Sequence, residues 1–282
     1  MPIARQFTLD RPVLAQEGRL MLTIRRHTGS ILLAALVSVC WPLDRPAQAW
    51  EDQKVSGPFV CRAEFPLSGM EGLMAELAQI QGDLAKYLGI PPTQESIDLY
   101  LFRDKQSYSR FLEQHFPKVP HRRALYLKGR GTGMVFAYRN PEFEIDVRHE
   151  CTHALLHASL PVVPLWLDEG LAEYFEVPAG ERAFDNPHLT SLKWNLWFGG
   201  VPRMENLESV GSLEGMRQAE YRSSWAWVHF MLHGSRAAHA ELVGYLKDIQ
   251  AHTPPGLLSQ RLRQHVPGVE QRFTAHFKSW RR

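Results

Sequence analysis

Two histidines one helical turn apart, followed after a proline-broken connection by a second segment that opens with acids, constrain this chain more than any other feature. His149 and His153 stand four residues apart in Val147-Arg148-His149-Glu150-Cys151-Thr152-His153-Ala154-Leu155-Leu156. On an α-helix that spacing puts both imidazoles on one face, with Glu150 one residue round the cylinder. Val147, Leu155 and Leu156 supply flanking apolar positions to bury. Pro161 and Pro164 end this helix, and the short connection lets the next segment, read as a helix over Asp168 to Glu176, return across its face with Glu169 in the first turn.

These residue types make chemical sense together. Neutral imidazoles bind zinc well, and a neighbouring carboxylate can take a proton from a water as that water attacks a carbonyl. Glu173, one turn after Glu169, is placed to accept the free N–H of a ligating imidazole, while Glu176 reads as a solvated helix residue.

The second segment, Leu165-Trp166-Leu167-Asp168-Glu169-Gly170-Leu171-Ala172-Glu173-Tyr174-Phe175-Glu176, makes the pattern specific. A metal helix followed by a helix with an acid-Glu-Gly sequence resembles the gluzincin superfamily of zinc metallopeptidases, which includes thermolysin-like and aminopeptidase-N-like enzymes. It is closer still to short bacterial secreted domains of unassigned substrate. The resemblance implies one zinc ion held by His149, His153 and Glu169, with Glu150 as the catalytic carboxylate. It also implies a later helix tyrosine, here Tyr221, over the metal as oxyanion donor; packing is the other reading of Tyr221, and His229 is the runner-up donor or else a satisfied core histidine. Sixteen positions separate Glu169 from His153, slightly fewer than in the better-known families. No amino-terminal anchoring motif of aminopeptidases occurs between Gly129 and Arg139, so a preference for chain ends is not carried over.

The rest of the chain reads as a small sheet with helices followed by an almost wholly helical region, an α+β, zincin-like arrangement. A strand is expected over 58–65, a helix over 70–88 with Leu73, Met74, Leu77, Ile80, Leu84 and Leu88 at helical spacings, and a strand over 97–102. Phe111, Leu112 and Phe116 mark a short helix, and two strands follow at 123–127 and 134–138. In zincins an exposed strand beside the metal helix receives substrate as an added strand, and 133–138 is either that strand or an ordinary internal one. His188 is expected in a surface loop. Tyr221 to Leu232 reads as a strongly apolar helix, and further helices carry Leu242, Tyr245, Leu246 and Ile249, then Leu257, Leu258, Leu262 and Val266, with Phe273, Phe277 and Trp280 docking the chain end.

The formal charge of +2 is unevenly spread: the first 49 residues hold six arginines and three acids, so the remainder is near neutral and does not suit nucleic acid. Arg25 and Arg26 precede the apolar run Ile31 to Trp41, which has the length of a signal-peptide core and is too short for a stable anchor. Ala47-Gln48-Ala49 matches a cleavage site and would make Trp50 the first mature residue. The organisation expected is an over-extended start at 1–20, a signal peptide at 21–49 and a single domain at 55–282, β-containing to 140 and helical from 141, in the periplasm or secreted with no stable membrane anchor. Cys61 and Cys151 then remain, either paired or as separate buried thiols. The function expected is zinc-dependent hydrolysis of peptide or related amide bonds. The alternative is a catalytically weak scaffold that binds envelope material or a partner protein.

Overall fold

A computed structural model describes residues 50–120, 122–128 and 131–281. The expected signal peptide and the segment before it lie outside the described residues. Five strands form one mixed sheet: β1 (Asp52–Ser56), β2 (Phe59–Ala63), β3 (Ile97–Phe102), β4 (Ala124–Lys128) and β5 (Gly133–Tyr138). Their spatial order is β1-β2-β3-β5-β4, with the central pairs parallel and the two outer pairs antiparallel. Only α1 (Glu71–Leu88) separates β2 from β3, and α2 (Lys105–His115) lies between β3 and β4.

The alternation of side chains along these strands sorts two helical layers. Cys61, Leu99, Leu101, Val135 and Ala137 face the main core with α1, whose Leu73, Met74, Leu77, Ile80, Leu84 and Leu88 are all buried. Phe102, Leu125, Leu127 and Phe136 face the other way, onto Tyr108 and Leu112 of α2. The two-residue period of the pleat makes this division, because neighbours on a strand must point to opposite faces. Gly89, in the left-handed region at φ 67°, stops α1 by donating to the Ala85 carbonyl.

From α3 (Phe143–Ser159) onward the described residues are helical: α4 (Leu165–Phe175), α5 (His188–Trp197), α6 (Met204–Glu208), α7 (Gln218–His233), α8 (Arg236–Gln250), α9 (Leu258–His265) and α10 (Val269–Ser279), with one 3-10 turn at Leu213–Gly215. This is the expected α+β, zincin-like division. The second half of α3, from Cys151 to Leu156, is buried all round, because the sheet lies on one side of it and α4 on the other.

Three expectations change. The sheet begins at Asp52, before the boundary at residue 55, because β1 pairs antiparallel with β2. Helix α4 starts at Leu165 rather than Asp168, since the Pro164 carbonyl accepts from Leu167 and Asp168, so Glu169 sits in its second turn. Strand 133–138 cannot receive an added strand: β3 occupies one edge of it and β4 the other. Among the described residues, the sheet edge beside α3 is that of β4. Cys61 and Cys151 are both free and buried in the same core; burial, with some help from Asp52, pushes the Cys61 thiol up to about 12.

Gly170 shows how tightly α4 and α7 meet. A Cβ there would lie 2.7 Å from the Ser224 carbonyl oxygen and 3.0 Å from Val228 Cγ2. The obstacle is backbone, which cannot turn aside. Gly170→Ala is therefore expected to cost about 1–3 kcal/mol and to lower the thermal midpoint; a variant as stable as the parent would show that the two helices have slack.

Candidate metal centre

The two helices bring three polar atoms to one buried point. His149 Nε2 and His153 Nε2 are 3.2 Å apart, and Glu169 Oε2 is 3.6 Å from the first and 3.7 Å from the second. Zinc bonds of about 2.0–2.1 Å in a tetrahedron set ligand atoms about 3.3–3.4 Å apart, so this triangle would need shifts of only a few tenths of an ångström to fit one ion. The set can chelate a metal ion.

The imidazoles are turned towards that point by carboxylates on their other nitrogens. His149 Nδ1 donates to Glu176 Oε2 at 2.9 Å. His153 Nδ1 lies 2.9 Å from Asp168 Oδ1, close enough for an ion pair but too bent for a well-formed hydrogen bond. The second oxygen of Asp168 accepts from His157 Nε2 at 3.0 Å. These contacts dispose the Nε2 lone pairs towards a shared cation, which is what carboxylate partners do for ligating histidines.

Charge points the same way. Burial opposes ionisation of Glu169, but His153 and His149 overcome it and hold the carboxyl at about 2. Asp168 is likewise held well below the usual carboxylate range against its burial, by His153 and His157. In the metal-free chain, burial is outweighed by Glu169 and Glu176 at His149, which is raised to about 10. Three carboxylates around two imidazoles demand positive charge at this place, whether as protons or as a metal cation.

Glu150 is partly exposed beside the triangle, as a group that must meet solvent or substrate should be. Tyr221 stands in the first turn of α7. Burial, and next the charge of Glu169, push its phenol up to about 12, with smaller effects from Glu173 and Glu150. It is thus a protonated donor at neutral pH, close to the same acids. The contact at Gly170 sets this proximity, because it clamps α7 against the helix that carries Glu169.

The sequence reading placed the supporting acid one turn too early. Glu173 Oε2 accepts from His188 Nε2 at 2.9 Å, and the contact expected of Glu173 with a ligand imidazole is made by Glu176. Seven residues make two turns, so Glu176 shares a face with Glu169, and that periodicity was a usable signal. His188 is half-buried and opens α5, not a loop. Asp168 and His157 went unread; His157 lies four residues beyond His153, again on the metal face. Glu173, Glu176 and His149 also form a second cluster of ligand-type atoms, but the Nδ1 of His149 is already committed to Glu176. His229 is fully buried and donates from Nε2 to the Ala183 carbonyl at 2.9 Å, which is the core-histidine reading.

Neither a protein-family model nor a curated protein sequence matches the chain. Among solved structures, the crystal structure of M1 zinc metallopeptidase from Deinococcus radiodurans is similar, with a TM-score of 0.42 and 14% identity, over 81% of this chain and 50% of that one. A mutant of the same enzyme gives a TM-score of 0.42 and 14% identity over 83% and 52%. The chain spans about half the length of these structures. What the site can do stands on the distances above.

Proposed function

We propose that this protein is a zinc-dependent hydrolase of peptide or closely related amide bonds, working in the periplasm or outside the cell after removal of residues up to Ala49. The observation that carries this reading is the triangle of His149, His153 and Glu169, with the partly exposed Glu150 next to His149 on the same helix. A bound zinc ion would polarise the scissile carbonyl and make an attacking water more acidic. Glu150 takes the proton from that water and returns it to the leaving nitrogen. Tyr221, kept protonated by its surroundings, donates a hydrogen bond to the oxygen on which negative charge develops.

The open edge of β4 supports an extended peptide as the substrate. Arg123, just before β4, pairs with Glu142 and Asp146 at the start of α3. At the far end Lys128 donates to the carbonyl of His157, and the Tyr126 and His157 rings meet edge to face. Strand and helix therefore run side by side, each covering about 16 Å between these contacts. A peptide adding to the free edge of β4 would make backbone hydrogen bonds there and lie alongside the ligand helix. Among the described residues no helix is long and apolar enough to cross a membrane.

The test is to incubate the zinc-loaded protein with a varied peptide library and read new termini by mass. Cleavage is expected, and Tyr221→Phe should lower kcat by about 10²–10³ with zinc retained. A zinc-loaded protein that binds peptides and cuts none would favour the scaffold reading instead.

A further inference from the structure

Two buried arginines close the C-terminal end of α4. Arg148, only 4% exposed, donates from Nε to the carbonyl of Glu176 at 2.5 Å and from Nη1 to Glu76 of α1 at 2.7 Å. Arg182, also 4% exposed, donates from Nε to the carbonyl of Val177 at 2.8 Å and from Nη1 to Asp83 of α1. Glu76 and Asp83 are seven residues apart, two turns along one face of α1. That helix thus presents two carboxylates to two guanidiniums, and these grip successive carbonyls where a helix leaves acceptors unpaired and its dipole is negative.

The two clamps are alike in chemistry but not in consequence. Val177 has no part in the metal centre. Glu176 does, because its carboxylate accepts from His149 Nδ1. A small ring of contacts therefore closes through adjacent residues: Arg148 holds the main chain of Glu176, and the side chain of Glu176 holds the imidazole of His149. An ion pair with an acid as exposed as Glu76, whose side chain is 37% exposed, adds little net stability to a fold, so anchoring the helix end is a poor sole account of Arg148.

We propose that Arg148 is a positioning residue for the metal centre, fixing the direction of the His149 imidazole through Glu176; this rests on the zinc reading of the site. Arg148 touches neither metal nor substrate. It sets how firmly the first ligand is aimed.

The experiment is a zinc titration against a competing chelator on the full chain, well below each variant's unfolding midpoint. The set is the parent, Arg148→Met, Glu176→Gln, the double variant and Arg182→Met. Arg148→Met should weaken zinc binding by about 10-fold and Glu176→Gln by about 10–100-fold. The double variant should bind no more weakly than Glu176→Gln, because both changes release the same imidazole. Arg182→Met should unfold more easily yet bind zinc as the parent does. If Arg148→Met does not fold, Arg148→Gln, which keeps one donor, carries the same cycle with a loss of about 3-fold or more. Zinc affinity unchanged in the Arg148 variant, effects that multiply in the double variant, or an equal loss in Arg182→Met would each overturn the proposal while leaving the zinc site standing. A parent protein that binds no zinc would overturn the reading of the site, and this inference with it.

Discussion

Glu150→Gln is expected to keep one zinc per chain and to lose about 10²–10⁴-fold in kcat/KM on any peptide the parent cleaves. The amide is nearly the same shape as the carboxylate but cannot take a proton, so the loss isolates proton transfer. Glu169→Ala should behave in the opposite order, losing zinc first and activity as a result, because it removes one corner of the triangle and leaves two imidazoles beside an empty volume. Zinc per chain and cleavage rate, measured on both variants, separate the roles. Full zinc affinity in Glu169→Ala would refute the gluzincin-type ligand set even if the histidines bind metal, and undiminished cleavage by Glu150→Gln would refute the mechanism.

Acid should weaken the fold well before it titrates ordinary carboxylates. His229, which is fully buried, and the partly exposed His233 and His276 meet at the junction of α4, α7 and α10. His276 Nε2 donates to His229 Nδ1 at 3.1 Å, and His233 Nε2 pairs with the Tyr174 hydroxyl at 2.8 Å. Burial depresses all three from an ordinary 6.5, His229 to about 3 and the other two to about 4, with smaller repulsions from His233 and His276 on His229, from His233 on His276 and from His239 on His233. Between pH 6.5 and about 4 the unfolded chain therefore binds protons that the folded chain refuses. Stability is complete above that window and falls as the pH drops through it. At pH 5 the linkage amounts to about 2 kcal/mol for fully buried His229, and less for its partly exposed neighbours. Denaturant unfolding of the metal-free chain should show lower stability at pH 5.0 than at pH 7.5, by less than these three groups alone would give, because His149, raised to about 10, favours the folded chain as the pH falls over the same interval. His276→Phe, in an aromatic setting beside Phe277 and Trp280, should narrow the gap. A gap that His276→Phe leaves unchanged would mean that these rings are wetter than the packing indicates.

The buried faces of α1, β3 and α7 were legible because each is a local period: 3.6 for the helices and 2 for the strand. The same locality made His149 and His153 readable as a pair, and Pro161 and Pro164 readable as the stop between two helices. The edge of the sheet was not. β4 and β5 have similar composition, and a strand lies inside or at the rim according to which partners reach it from elsewhere in the chain; here β3, whose paired residues lie 36 positions upstream, and β4 take both edges of 133–138, which decides for the internal one of its two readings.

The supporting shell of the metal centre divides along the same line. Sequence alone determined that His149 and His153 share a helix face, with Glu150 beside it and Glu169 on the returning helix, since helical geometry dictates those relations over a few turns. Only the tertiary structure decided that Glu176 and Asp168 brace the imidazoles, that Glu173 turns to His188, and that Tyr221 comes near Glu169. Those outcomes depend on the rotation and separation of α3, α4 and α7, and the approach is as close as it is because Gly170 carries no side chain. Arg148 and Arg182 then hold the end of α4 through acids on α1, a helix some seventy to a hundred residues away in the chain; a contact at that range leaves no periodic trace, so packing alone could reveal it.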